Sequence, residues 1–224
     1  MLTRDTSARV DLVIFDLDGT ITRRDTLWGY VLGFALRRPV RLLRFNRVLP
    51  TLVRFAVGRA DHGALKAALI HAVMGGSSRD EIAAWTQDYL PRLLRDGVFF
   101  NALRQIEQHR VAGDHLVLMT ATVDLYVPAL AQALGFTEWI CTPVTWAGDY
   151  LDGALSGPNV RDEEKARRLR ELKGRFPGLF VVAYGNSAPD LPHLRLADRA
   201  VLINASASLR RAAAEIPVEF RDWR

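Results

Sequence analysis

A short apolar run that ends in two aspartates constrains this 224-residue chain more than any other feature. Leu12 to Phe15 is rich in branched and aromatic residues, which predicts a buried β-strand. Asp16 and Asp18 follow, and residues two apart in an extended chain point the same way. Their like charges repel, so the pair favours a cation such as Mg2+, which prefers oxygen ligands. A strand capped by a polar turn at Gly19 is the alternative, and it explains one aspartate better than two.

From about residue 97 the chain alternates between helical and strand-like patterns. Apolar runs predict four more strands, at His115–Met119, Glu138–Cys141, Leu179–Ala183 and Ala200–Ile203. Strands that alternate with helices imply an α/β fold whose parallel sheet is covered on both faces. Ligands of such sheets bind beyond the carboxyl ends of the strands. Residues 23–96, in contrast, show almost no strand-like alternation and are predicted to be helical.

Hydroxyl, amide and carboxylate groups occur at these predicted strand ends, and an amine occurs near the start of a predicted helix. Thr120 closes one strand, where its hydroxyl and the amides beyond it could hold a phosphate oxygen; helix capping is the alternative. Asn186 and Asp190 follow another strand. Lys165 is one of only three lysines in a chain with 27 arginines, although Glu-to-basic pairs are ordinary in a charged helix.

These residues give the chain a resemblance to a known family. Asp16-Leu-Asp18-Gly19-Thr20 resembles the first motif of the haloacid dehalogenase (HAD) superfamily, most of whose members are phosphatases. Thr120, Lys165 and the stretch 185–190 resemble its second, third and fourth motifs, in the same order along the chain. Two positions depart from the pattern. Asp162 stands where a glycine commonly precedes the lysine by three residues, and Asn186 stands where an aspartate is usual.

The resemblance implies a Mg2+-dependent phosphomonoester phosphatase that forms an aspartyl-phosphate and acts on a small phosphorylated substrate. It implies a catalytic set in which the first aspartate attacks phosphorus and the second is general acid and then base: Asp16, Asp18, Thr120 and Lys165. We expect five residues to bind the phosphate: Gly19, Thr20, Arg23, Ala121 and Thr122. The expected Mg2+ ligands are Asp16, Asp18, Asn186 and Asp190, with the amide contributing no charge. His193 would be a helix-surface residue rather than a base.

The resemblance also implies the fold and its division. We expect a Rossmann-like core with helices on both faces, formed by residues 1–22 and 97–224, and an α-helical cap inserted at residues 23–96. The layout is most similar to the subgroup that includes phosphoserine phosphatase and a bacterial phosphatidylglycerophosphate phosphatase. A cap of this kind selects the substrate, so specificity should lie there.

The positive charge of the chain is concentrated in this insertion. Residues 22–60 contain nine arginines and one acid, a net charge of +8, which leaves −3 for the rest of the +5 chain. We therefore expect no nucleic-acid partner. Pro39 is predicted to open a helix with arginines on one side and apolar residues on the other: Arg41, Arg44 and Arg47 against Leu42, Leu43, Phe45, Val48 and Leu49. Such a helix is also typical of proteins that rest on anionic membranes, whereas simple solvation of the cap is the alternative.

Three functions remain open at the level of sequence. Aliphatic residues in the cap favour a lipid-like or hydrophobic phosphomonoester, because no dense polar cluster suited to a small amino acid is evident. A soluble metabolite phosphatase of phosphoserine type is the second. A degenerate protein that binds a phosphorylated ligand without hydrolysis is the third. The single cysteine predicts that there is no internal disulfide. Residues 1–11 carry charges of both signs and no apolar core, which predicts that they are not a signal peptide. These features predict a cytoplasmic location, with peripheral contact at the inner membrane face left open.

Overall fold

The structure is a computed structural model in which residues 10–224 are described. The first nine residues of the predicted core, and with them most of the segment predicted to lack a signal peptide, lie outside the described residues. The strands are β1 (Asp11–Phe15), β2 (His115–Val123), β3 (Glu138–Thr142), β4 (Val144–Ala147), β5 (Tyr150–Leu155), β6 (Phe180–Gly185), β7 (Arg199–Ile203) and β8 (Val218–Arg221). The α-helices are α1 (Thr26–Leu36), α2 (Leu49–Ala56), α3 (His62–Met74), α4 (Arg79–Arg92), α5 (Phe100–Ala112), α6 (Val127–Ala133), α7 (Glu163–Arg175), α8 (Leu191–Leu194) and α9 (Ala207–Ala212).

Six strands form a parallel sheet in the order β3-β2-β1-β6-β7-β8. The chain runs outward from β1 through β2 to β3 and then returns to the other side of β1 with β6. The strand order therefore reverses beside β1, where Phe15 pairs with Leu118 of β2 and Tyr184 of β6. In open α/β sheets this reversal opens a crevice at the carboxyl ends of the strands. The residues that follow β1, β2 and β6 consequently meet at one place.

Both faces of the sheet are buried, and this explains why its strands are continuous apolar runs. Val13 and Phe15 of β1 face one apolar cluster, together with residues of α1, α3, α4, α5 and α6. Leu12 and Ile14 face a second cluster, together with residues of α7, α8 and α9. The predicted α/β fold class, a Rossmann-like parallel sheet with helices on both faces, is confirmed.

Residues 26–97 contribute no strand to the six-stranded sheet. They form α1 to α4, a 3-10 helix at Pro39–Val48 and a π-helical turn at Leu93–Gly97. Ser78 caps α4 as its side chain accepts a hydrogen bond from the Glu81 amide at 3.2 Å. The antiparallel β4–β5 hairpin packs against α3, where a Cβ on Gly153 would lie 2.7 Å from the His71 nitrogen. The boundaries of core and cap given by the sequence stay a proposal.

One predicted helix has a different periodicity from the one expected. Residues 39–48 form a 3-10 helix, in which side chains three apart lie above one another. Leu42, Phe45 and Val48 form the row that packs against the core. Leu43 lies in another row and is exposed, and Leu49 beyond the helix is exposed as well. The expectation that all five apolar residues lie on one side of the helix was wrong, because it assumed the α-helical period.

Candidate active site

A buried ion triad connects the ends of β1 and β6. The Lys165 Nζ donates to Asp16 Oδ1 at 2.6 Å and to Asp190 Oδ1 at 2.7 Å. All three residues are buried, and Lys165 is only 2% exposed. Lys165 lies in the first turn of α7, near the carboxyl ends of β1 and β6. Three segments that are distant in the sequence therefore converge on one point. The lysine thus neutralises one of the two carboxylates beside it.

The two carboxylates of this triad differ in their other donors. Asp190 Oδ2 accepts from the amides of Asn186 and Ser187 and from the Ser187 hydroxyl, at 2.8–3.1 Å. Among the described residues, Asp16 Oδ2 accepts only from the Thr20 hydroxyl, at 3.0 Å. Burial acts to raise the pKa of Asp190, but the charge of Lys165 together with the hydrogen bonds from Lys165 and Ser187 lowers that pKa overall. Burial raises the pKa of Asp16 above its ordinary value, and Lys165 offsets this only in part.

Asp18 is held by donors from the helical segment and from β2. Its Oδ1 accepts from the backbone nitrogen and the hydroxyl of Thr26, at 2.7 and 2.8 Å. Its Oδ2 accepts from the Thr122 hydroxyl at 2.6 Å. Tyr126 in turn donates to the Thr26 hydroxyl at 2.7 Å. Burial raises the pKa of Asp18 despite these bonds, which is the direction that a general acid requires.

Asn186 packs against the turn at Gly19. Gly19 has φ +83°, and a Cβ there would lie 2.0 Å from the Asn186 side-chain nitrogen, so the turn requires glycine for two reasons. The Asn186 Oδ1 is buried and accepts no hydrogen bond from the described residues. A buried oxygen without a donor is costly, and it lies at the strand end where a cation was predicted. The Asn186 oxygen is therefore a neutral oxygen that this site offers to a cation in addition to its carboxylates.

The predicted phosphate-binding residues of β2 lie in the strand itself. β2 continues to Val123, so Thr120 to Thr122 do not open the next helix as expected. Thr120 Oγ1 accepts from the Thr122 amide at 3.1 Å, and the Ala121 carbonyl accepts from Thr142 at 2.8 Å. All three nevertheless line the same cavity as Asp16 and Asp18.

The structure does not bring Arg23 to this cavity. Thr22 donates its hydroxyl to the Arg24 carbonyl at 2.9 Å, and the chain turns outward there. Arg23 is exposed and lies over the Phe99 ring at 5.1 Å, beside a different surface cleft. Arg23 therefore lies away from the cavity in which the phosphate was predicted to bind.

His193 is buried, and the expectation of a surface residue was wrong. Neither ring nitrogen has a hydrogen-bond partner within residues 10–224. Burial, above all, lowers the pKa of His193 to about 3, so the ring is neutral. The helix α8 that carries it has only four residues and packs against α7, β6 and β7, which leaves His193 no exposed face.

The cavity of about 260 Å3 above the triad includes residues that sequence reasoning missed. Lys66 of α3 donates to the Ala121 carbonyl and, at 2.8 Å, to Asn159 Oδ1. Burial lowers the pKa of Lys66 to about 8. Asp25 and Arg161 also line the cavity, with Trp28 and three leucines on its apolar side. The rarity of lysine was the one signal that could have indicated Lys66.

The backbone conformation of Asp162 explains why a glycine is expected at this position. It precedes α7 with φ +50° and ψ −124°, a conformation that residues other than glycine adopt at a cost. The departure from the family pattern therefore concerns the backbone, and Lys165 still reaches Asp16.

Comparison with known proteins places this geometry in a family. Residues 13–195 match the model of the haloacid dehalogenase-like hydrolases. The chain is 32% identical over 192 residues to Protein CicA of Caulobacter vibrioides, covering 84% of this chain and 83% of that protein. It is 27% identical to phosphoserine phosphatase SerB1 of Mycobacterium tuberculosis, covering 94% of this chain and 70% of the relative. A probable phosphoserine phosphatase from Vibrio cholerae superposes with a TM-score of 0.71 at 14% identity, covering 97% of this chain and 64% of that one.

The chain belongs to the haloacid dehalogenase-like hydrolases. Its predicted class, a hydrolase of this superfamily with a phosphoserine phosphatase-like layout, is confirmed. The likeness to the Vibrio structure concerns the fold alone.

Proposed function

We propose that this protein is a phosphatase that cleaves phosphomonoesters through an aspartyl-phosphate on Asp16. The observation that carries the proposal is the Asp16 carboxylate at the end of β1, with Lys165 at 2.6 Å and Asp18 two residues away. Asp16 has one oxygen bound by Lys165 and the other by a single hydroxyl, so its carboxylate is oriented for attack.

Each residue has a role in the proposed reaction. Asp16 attacks phosphorus in line, and Lys165 offsets the negative charge of the carboxylate and the phosphoryl oxygens. Asp18, whose pKa is raised by burial, donates a proton to the leaving alkoxide. It then removes a proton from the water that attacks the aspartyl-phosphate. Thr26 and Thr122 fix its two oxygens throughout.

The residues present suit Mg2+. Asp16, Asp18 and Asp190 bring three carboxylates to the site, against the one ammonium of Lys165, and the Asn186 oxygen lacks a donor. A bound Mg2+ would supply positive charge that stabilises the transferring phosphoryl group. Asp16, Asn186 and Asp190 are the proposed ligands. Asp18, the fourth predicted ligand, accepts three hydrogen bonds at its carboxylate, and Asp190 accepts four. Within residues 10–224 no three His, Cys, Asp or Glu side chains form a metal cluster, so the amide oxygen is part of the proposed set.

Hydrolysis of an aryl phosphate tests the proposal. We expect release of phosphate that needs Mg2+ and that Asp16→Asn abolishes, while the control Asp149→Asn at an exposed turn stays active. Acid-quenched protein should carry a phosphoryl group on Asp16. Full activity of Asp16→Asn would refute the mechanism.

Two substrate classes have support from the cavity. Leu27, Trp28, Leu65 and Leu69 form an apolar side that suits a hydrophobic phosphomonoester, our first candidate. Asp25, Lys66 and Arg161 form the polar cluster that sequence reasoning did not find, and they suit the amino and carboxylate groups of a phosphoserine-like substrate, the second candidate. Relative kcat/KM for a long-chain alkyl phosphate and for phosphoserine separates the two. A preference for phosphoserine that Lys66→Met removes would overturn the first.

A degenerate binding protein is the third candidate, because Asn186 replaces an expected aspartate. It predicts binding of inorganic phosphate without phosphorylated Asp16, and a gain of turnover in Asn186→Asp. The predicted cytoplasmic location stays a prediction; within the described residues no helix combines the length and apolar character needed to span a bilayer.

A further inference from the structure

We infer that the outer face of residues 39–59 is a docking surface for an anionic lipid membrane. Its apolar members are exposed instead of buried. Val40 and Leu43 lie in one row of the 3-10 helix and are 73% and 74% exposed. We call this face the outer patch: Val40, Leu43, Leu49, Leu52, Val53, Ala56 and Val57, with Arg44, Arg47, Arg54 and Arg59.

The apolar residues of α2 have the spacing of a helix face that normally packs on a core. Leu49, Leu52, Val53 and Ala56 follow the pattern i, i+3, i+4, i+7 and are all exposed. No residue of α2 is fully buried. Together with the 3-10 helix, α2 therefore presents an aliphatic surface outward, where a monomer in water gains nothing from it.

The charges of the outer patch are unbalanced. Three neighbouring arginines of the cap form ion pairs with Asp88 or Glu81: Arg37, Arg38 and Arg41. The four arginines of the outer patch have no ion pair within residues 10–224, and residues 26–60 contain no acid. Unpaired guanidinium groups beside exposed aliphatic side chains complement anionic head groups above acyl chains. A nucleic acid would use the arginines but would leave the aliphatic surface in water, so the membrane is favoured.

The two helices that carry the outer patch also border the catalytic cavity. Phe45, on the inner row of the 3-10 helix, meets the Trp28 ring edge-on at 5.9 Å. Phe55 of α2 meets the His62 ring at 4.8 Å. Trp28 and His62 both line the cavity. A membrane on the outer patch would therefore lie next to the cavity wall, where a hydrophobic substrate would enter.

Flotation of the purified full chain with vesicles tests the inference without any need for turnover, so the proposed function and the docking surface fail independently. We expect binding to vesicles of three parts phosphatidylcholine and one part phosphatidylglycerol, no binding to phosphatidylcholine alone, and release by salt. Arg44→Gln/Arg54→Gln should weaken the partition coefficient by about 30-fold, since each arginine near an anionic surface contributes about 5-fold. Leu43→Ser/Val53→Ser should weaken it by roughly 10-fold or more.

Matched variants elsewhere on the surface are the controls. Arg170→Gln/Arg211→Gln removes two exposed arginines that have no ion pair among the described residues. Val111→Ser removes an aliphatic residue as exposed as Leu43, at 74%. Both should bind vesicles like the native chain.

Several results would overturn the inference. Equal binding to neutral vesicles, or equal weakening by the control variants, removes the role of the outer patch. Self-association that Leu43→Ser/Val53→Ser abolishes, without vesicle binding, makes a second copy of the chain the occupant. Tighter binding to an RNA oligonucleotide than to the anionic vesicles at the same salt makes the surface a nucleic-acid site.

Discussion

Replacing Lys165 by methionine should destabilise the protein by about 3–5 kcal/mol, because it removes the one ammonium that two buried carboxylates share. Lys165 is 2% exposed and binds Asp16 at 2.6 Å and Asp190 at 2.7 Å. Methionine has a similar length and fills the space, so the loss measures the unpaired charges instead of a cavity. In a protein of this size the expected fall in Tm is about 10 °C.

The variant should also change the pH dependence of stability. In the native chain Lys165 lowers the pKa of Asp190, so the stability from this group is present above its unfolded pKa and is lost as pH falls. Without Lys165, burial leaves the folded pKa values of both Asp16 and Asp190 above the unfolded value of about 3.9. Stability from these groups is then present at low pH and is lost as pH rises above about 4. Lys165→Met should therefore be closest to the native protein in stability in acid.

Urea unfolding at pH 5 and pH 8 measures both effects. Lys173→Met is the matched control, since Lys173 lies on the same helix and, within residues 10–224, makes one hydrogen bond, to the Leu196 carbonyl at 3.0 Å, and has no carboxylate partner. It should cost about 1 kcal/mol, independent of pH. If Lys165→Met were as stable as Lys173→Met at pH 8, the argument that the triad is held by shared charge would be wrong.

Three further changes test other parts of the site. Gly19→Ala should cost more than Gly113→Ala by urea unfolding. Both glycines have φ near +80°, but a Cβ on Gly19 would clash with the Asn186 amide, whereas a Cβ on Gly113 would meet no atom of the described residues within 4 Å. Equal losses would mean that the contact is unimportant. Asp162→Gly should stabilise the chain by about 1 kcal/mol, since it relieves the backbone at φ +50°; a loss of stability would contradict that strain. Burial lowers the pKa of Lys66 to about 8, so this side chain loses its charge above that pH. KM for an aryl phosphate should rise through pH 8 in the native protein and be flat in Lys66→Met, and parallel curves would exclude Lys66 from substrate binding.

Local sequence was sufficient for the elements that hold the site. Continuous apolar runs predicted β1, β2, β6 and β7, because a strand buried on both faces needs no alternation. Predicted strand ends then indicated Asp16, Thr120 and Asp190, which the parallel sheet brings to one edge. The Gly-x-x-Lys position was recognisable even with Asp162 in place of glycine, since the lysine side chain and not the loop composition makes the contact. β8 was missed, because four residues at a sheet edge give little pattern.

Contacts across long sequence separations were decided only by the tertiary structure. The family resemblance placed Lys165 in the catalytic set with Asp16 but did not indicate its contact with Asp190. Sequence reasoning also missed Lys66, which reaches the Ala121 carbonyl from α3 across 55 residues. The sequence likewise did not predict that His193 is buried and that Leu43 is exposed. Side-chain exposure depends on which neighbour covers a helix face and on whether that helix has three or 3.6 residues per turn. The chain alone therefore determined which chemical groups stand at the strand ends, whereas packing decided which of them are paired, buried or left facing outward.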